Sequence, residues 1–264
     1  MSTRPVALVT GAARRVGREI ALDLAAHGWD LAVHYRASAV EAQDTVAALR
    51  QHGARAEAFA ADLADEAQCA ALLPTVVQAL GRVDAVVNNA SLFEYDDVAG
   101  FGHAAMERHW RANTAPAELL ARALHAHVGM RQVAATGSGG AAVVNLLDQK
   151  LWNPNPDYFS YSLSKAALDA ATTMLALALA PAVRVAGVAP GVTLVSGPMD
   201  EATFERAHRL TPLQRSSTPQ DVARAVRFVL ESPAITGTTI LVDGGQHLLG
   251  QPRDVLFLAE KDTP

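Results

Sequence analysis

Tyr161 and Lys165 stand four residues apart in YSLSK, a spacing that puts both on one face of a helix. A phenol ionises near pH 10, too high for acid–base work at neutral pH. A lysine ammonium one turn away would stabilise the phenolate and draw that value down, and a bound cationic ring would add to the effect. The same spacing also describes a plain tyrosine and lysine on an amphipathic helix. Three companions favour chemistry: Asn113, the Pro190-Gly191 pair, and Asp148, 13 residues before Tyr161. A carboxyl in a dry pocket keeps its proton toward neutral pH, so Asp148 and Tyr161 form a candidate proton-delivery set. The alternative for Asp148 is a cap or turn residue.

A second chemical signal lies near the start. TGAARRVG, residues 10–17, follows the apolar run PVALV and reads as a phosphate-cradling turn between strand and helix. Gly11 permits the tight turn, Gly17 lets the helix pack close, and amides at the helix start face an anion. Arg14 and Arg15 sit where such turns usually carry small residues; swung outward, they would bring charge to phosphates. A site for NAD wants an acid about 20 residues further on. Here the next strand ends in HYRAS, residues 34–38, and Asp30 lies at its opposite end. Arg36 and Ser38, with Arg14, suit a 2′-phosphate instead, so NADPH is expected over NADH. The plain reading of Arg36 is a solubilised loop. Asp62 suits the adenine amino group and NNA, residues 88–90, the ribose, though both types also favour turns.

The elements that must position these groups alternate. Strands are expected at VALVT, DLAVHY, RAEAFAAD, DAVVNNA, AAVVNLL, VRVAGVAP and TTILVDG, with helices such as REIALDLAAHG, AVEAQDTVAALRQHG and EAQCAALLPTVVQALG between them. Strands apolar on both faces imply an α/β fold with one doubly wound parallel sheet of Rossmann type, helices on both faces, and a single domain over residues 1–264. Irregular stretches follow the fourth strand (SLFEYDDVAGFG) and the sixth (about residues 192–212), at strand ends where ligands bind.

Composition sets the outer limits. The chain has 264 residues, half of them apolar, and a net charge of −5, which argues against nucleic-acid or anionic-membrane binding. The lone Cys69 suits a reducing, cytoplasmic setting. His103, His109, His125 and His127 lack ligand spacing, so no metal is expected. The tail, about residues 246–264, holds the apolar run VLFLA, expected to dock on a neighbouring subunit.

From TGAARRVG through NNA, Asn113, Tyr161, Lys165 and APG to DGG, the chain resembles the short-chain dehydrogenase/reductase family. The resemblance implies that Tyr161 donates a proton, Lys165 orients the ribose and lowers the tyrosine's pKa, Asn113 supports a water relay to the lysine, and the protein is a homotetramer. Arg15 replaces a glycine usual in the family, and Asp148 a serine. These departures, with His34-Tyr35 and with Ser91 followed by Phe93, resemble the pteridine reductase branch, which includes dihydromonapterin and alternative dihydrofolate reductases. That resemblance implies cofactor contacts from Gly11, Arg14, Arg15, Val16, Gly17, His34, Tyr35, Arg36, Ser38, Asp62 and Leu63. Further along the chain it implies them from Asn89, Ala90, Ser91, Tyr161, Lys165, Pro190 and Gly191. Substrate would meet Arg15, Ser91, Phe93, Asp148 and Tyr161. A C=N bond needs a proton on nitrogen as hydride reaches carbon, which a protonated carboxyl suits. Phe93 could stack on a flat ring, or anchor its loop. Reduction of a pterin or dihydrofolate-like ring leads; a small-ketone reductase and a non-catalytic NADPH sensor are the alternatives.

Overall fold

The computed structural model describes residues 4–130, 140–197 and 199–260. Seven strands form one parallel sheet in the order β3-β2-β1-β4-β5-β6-β7. They are β1 (Val6–Val9), β2 (Asp30–Tyr35), β3 (Ala56–Ala60), β4 (Ala85–Asn88), β5 (Ala141–Leu146), β6 (Val183–Pro190) and β7 (Thr239–Val242). Alternate residues of each strand feed opposite cores. On one face Ala7, Val9, Val33 and Val87 pack with α1 (Arg15–Ala26), α2 (Ala39–Gln51) and α8 (Pro219–Glu231). On the other, Val6, Leu8, Val86 and Val143 pack with α3 (Glu66–Leu80), α5 (Ala115–Met130) and α6 (Phe159–Leu179). Burial on both faces is why the strands read as unbroken apolar runs. The shorter α4 (His103–His109), α7 (Glu201–Arg209) and α9 (Val255–Glu260) complete the set.

Strand order reverses between β1 and β4, so their carboxyl ends part and leave a crevice. Three side chains brace it. Thr10 Oγ1 accepts from the amides of Asn89 and Ala90, and Asn89 Nδ2 donates to the carbonyls of Thr10 and Gly11. His34 Nδ1 accepts from the Gly11 amide while Nε2 reaches the Ala61 carbonyl at 3.0 Å. Those partners require the neutral ring with its proton on Nε2, and burial accordingly lowers the His34 pKa.

Two expectations change. Residues 192–212 are not wholly irregular, since α7 forms there, started by Asp200 accepting from the Thr203 amide. The tail residues Val255, Leu256 and Ala259 bury themselves in cis against α7, beside Met199 and Ala207. The apolar run therefore needs no neighbouring subunit to cover it.

Gly17 is fixed by close approach. A Cβ there would lie 2.3 Å from the Gly11 carbonyl oxygen and 2.5 Å from Asn89 Nδ2. Gly17→Ala is expected to destabilise by about 2 kcal/mol through overpacking, measured by urea titration. Gly129→Ala, with nothing described within 4 Å, should be neutral or slightly stabilising. Equal effects at the two positions would contradict the packing.

Candidate active site

The first cavity, about 420 Å³, lies at the crevice. Its walls bring together Gly11, Arg14, Arg15, Val16 and Gly17 of the turn, His34 and Tyr35 at the end of β2 with Arg36 and Ser38 beyond it, Asp62 and Leu63 after β3, and Asn89, Ala90 and Ser91 after β4. α1 starts there with no side-chain cap and no acidic residue in its first turn, leaving its amides and positive dipole end to an anion. Arg14 and Arg36 are exposed at the rim. Asn89 Nδ2 and both ring nitrogens of His34, expected at a ligand, brace the turn. Asp30 is buried at the far end of β2 in an ion pair with Arg55.

A second cavity, about 300 Å³, shares Arg15, Val16 and Ser91 with the first. It adds Phe93, Asp148, Tyr161 and Gly191, while Pro190 closes β6 just before it. Asp148 follows β5 and serves two partners. Its Oδ1 accepts from the Lys150 amide, capping the short 3₁₀ turn Gln149–Leu151, and its Oδ2 accepts from the Tyr161 hydroxyl at 2.8 Å. Asp148 thus caps the turn with one oxygen while the other faces Tyr161. Phe93 stacks on Tyr158 at 4.2 Å between centroids and meets Tyr161 edge-on at 4.7 Å. One Phe93 face is therefore committed to Tyr158.

Desolvation dominates the electrostatics. Burial raises the Asp148 carboxyl above the usual carboxylate range. Burial and the adjacent Asp148 push the Tyr161 phenol well above its ordinary value. The expected lowering by Lys165 is corrected: its ammonium donates to the Leu146 carbonyl at 2.7 Å and stands 5.8 Å from the Tyr161 ring centroid. Burial lowers the Lys165 pKa to about 8. Asn113 is buried between the β4 loop and α6. Its Oδ1 accepts from the Leu92 amide and the Ser91 hydroxyl, and its Nδ2 donates to the Leu92 carbonyl and Ser164 Oγ. The Asn113 side chain thus ties the β4 loop to α6. It sits on a five-residue π-helical stretch, Trp110–Thr114, a distortion common at functional sites.

A family model described as enoyl-(acyl carrier protein) reductase matches residues 11–247. The chain belongs to the short-chain dehydrogenase/reductase family. As a member it is an oxidoreductase. It is 37% identical, at a TM-score of 0.86, to the alternative dihydrofolate reductase FolM of Brucella canis, solved in complex with NADP, covering 96% of this chain and 98% of that one. It is 33% identical to pteridine reductase 1 of Leishmania tarentolae over 93% of this chain and 97% of that protein. A Streptomyces violaceoruber granaticin polyketide synthase putative ketoacyl reductase is 34% identical over 93% of this chain and 97% of that protein.

Against the family pattern, Arg15 is the notable departure. Its backbone adopts φ 57°, the left-handed region that glycine enters freely and other residues enter at about 1 kcal/mol. So Gly11 and Gly17 do not make the turn alone. The guanidinium crosses to the Val195 carbonyl at 3.0 Å, linking the turn to the segment after β6. Sequence reading missed Lys150, Asp157, Arg253 and Asp254, which converge beside Asp148; no motif spacing marks them.

Arg15→Gly is expected to leave the Tm unchanged or higher, because relief of backbone strain offsets one exposed hydrogen bond. Limited proteolysis should then cut faster near residues 192–197. A Tm lower by several degrees would show that the side-chain contacts outweigh the strain.

Proposed function

We propose that this oxidoreductase uses NADPH to reduce a C=N bond in a pterin or dihydrofolate-like ring. The observation that carries this reading is the Tyr161–Asp148 hydrogen bond of 2.8 Å, in the lining of a cavity that shares Arg15, Val16 and Ser91 with an anion-ready cleft. The likeness to a pteridine reductase and an alternative dihydrofolate reductase supports the substrate class. The uncapped α1 terminus fits a pyrophosphate, and exposed Arg14 and Arg36 fit a 2′-phosphate. When bound, NADPH supplies the hydride.

The chain's own groups handle the proton. Tyr161 keeps its hydroxyl hydrogen at neutral pH and can give it to ring nitrogen as hydride reaches the adjacent carbon. The developing phenolate then recovers a proton from Asp148, whose buried carboxyl retains one to higher pH than an ordinary aspartate. Because the protonated carboxyl is the active form, turnover falls as pH rises through the raised Asp148 value. Phe93, Ser91 and Arg15 border the space for a flat, polar-edged ring. Ketone reduction is the second reading, favoured by the ketoacyl reductase likeness.

The finer setting belongs to the same proposal: one domain working as a homotetramer in the cytoplasm. Cys69 is buried and unpaired, which suits a reducing compartment. No described helix is long and apolar enough to cross a membrane. Leu163, Met174 and Leu177 leave an exposed apolar face along α6 for subunit contact.

Cofactor absorbance with dihydropterins, dihydrofolate and a ketone panel tests the reading; ketone turnover without pterin turnover would overturn it. Tyr161→Phe should lower kcat by at least about 100-fold. Asp148→Ser should lose pterin turnover while NADPH still binds, and equal loss of both would make Asp148 structural. Arg36→Ala should raise the Kd for NADPH about 10-fold and leave that for NADH unchanged, by fluorescence titration.

A further inference from the structure

One buried cluster stands beside the acid–base pair without belonging to it. Lys150, two residues after Asp148, is the only lysine described in the second cavity, and its side chain is 5% exposed. Its ammonium donates to the Asp157 carbonyl at 2.6 Å and to Asp254 Oδ2 at 3.0 Å. Those acceptors take two of its three protons, and a buried ammonium needs such partners to stay charged. The grip comes from the C-terminal tail, 104 residues away along the chain. The tail is anchored in turn: Asp157 accepts from the Arg253 guanidinium and from the Asp254 amide at 2.7 Å. Asp254 Oδ1 accepts from the Leu256 amide, and Leu256 is buried against α7. α9 thus holds the Asp254 carboxylate in place.

We propose that Lys150, clamped by Asp254, is a positioning residue for the Asp148–Tyr161 pair, so that the C-terminal tail is part of the acid–base apparatus. The inference rests on the proton role given to Asp148 above. Lys150 acts on Asp148 from both ends: its amide bonds Oδ1, and its ammonium places positive charge near the carboxyl. Asp254 balances that charge and also adds negative potential at Tyr161. The other charged or titratable groups facing the pair are Lys165 from α6, Arg15 across the cavity, and His109 of α4, whose ring lies 6.4 Å from that of Tyr161. Asp157 faces Lys150, with its carboxylate held by Arg253.

The two ends of this clamp have opposite signs, which separates an electrostatic role from a merely structural one. Removing the ammonium leaves Asp148 holding its proton to higher pH. Removing the Asp254 carboxylate leaves the ammonium uncompensated, and Asp148 loses its proton at lower pH. The full-length protein would be assayed with NADPH and a dihydropterin across pH. Lys150→Met should move the alkaline limb of kcat up by about one pH unit, and Asp254→Asn should move it down by a similar amount. Lys150→Arg, which keeps the charge, should return the limb near its original place. A second readout needs no turnover: the Asp148 carboxyl carbon, followed by NMR in aspartate-labelled protein and assigned with Asp148→Ser, should titrate with the same opposed shifts. Shifts in one direction for both variants, or in neither, would overturn the proposal. Opposed NMR shifts in a protein that reduces no pterin would sink the substrate reading and leave the clamp standing.

Discussion

A 2.8 Å hydrogen bond between the Tyr161 hydroxyl and Asp148 Oδ2 is the contact on which the site depends. It joins a residue at the end of β5 to one on α6, so sheet and helix must be in register for it to form. Both groups are desolvated, and desolvation disfavours charge on either. Tyr161 therefore keeps its hydroxyl hydrogen at neutral pH, and Asp148 holds a proton to higher pH than an exposed aspartate does. Cations nearby moderate this without reversing it. Lys165 is itself desolvated, with its value brought down to about 8. The tyrosine is thus ready as a donor before any ligand arrives.

Around that contact the fold solves a problem of close approach. Parallel strands with both faces buried bring β1 and β4 side by side, and the crevice between their ends is where backbone must come near a phosphate. Gly17 allows the approach because a Cβ would strike the Gly11 carbonyl. Arg15 takes the left-handed backbone that a glycine would take at less cost. What the strained residue supplies is reach, since its side chain spans from the turn to Val195 and borders both cavities. Local strain retained beside a ligand cleft is a recognised mark of a working site.

Much of the fold was legible in the sequence. DLAVHY and VRVAGVAP form β2 and β6 over the expected residues. The other strands end a residue or more early, as at β4, where Asn89 and Ala90 turn their amides to Thr10 Oγ1. The residues that line the first cavity were legible too, because they cluster at or just beyond the carboxyl ends of strands. Side-chain commitments were not. Nothing in NNA says that Asn89 braces the glycine turn, nor in Asn113 that its amide ties Leu92 to Ser164. The Tyr161 pKa was misread because burial is a tertiary quantity, whereas the i, i+4 lysine is a local one. The Lys150–Asp254 pair escaped for a related reason: two common residues 104 positions apart carry no spacing signal. The tail's apolar run was visible, but its cover, α7, lay in a stretch read as irregular.

The central claim is that hydride and proton meet at a ring C=N bond in the second cavity. NADPH carrying deuterium at the transferred position of its nicotinamide ring tests it directly, with the reduced product examined by mass spectrometry and NMR. The account requires one deuterium on a ring carbon of the reduced pterin, next to the nitrogen that gained a solvent proton. A pterin product without deuterium, or deuterium found only on the carbinol carbon of a reduced ketone, would contradict it.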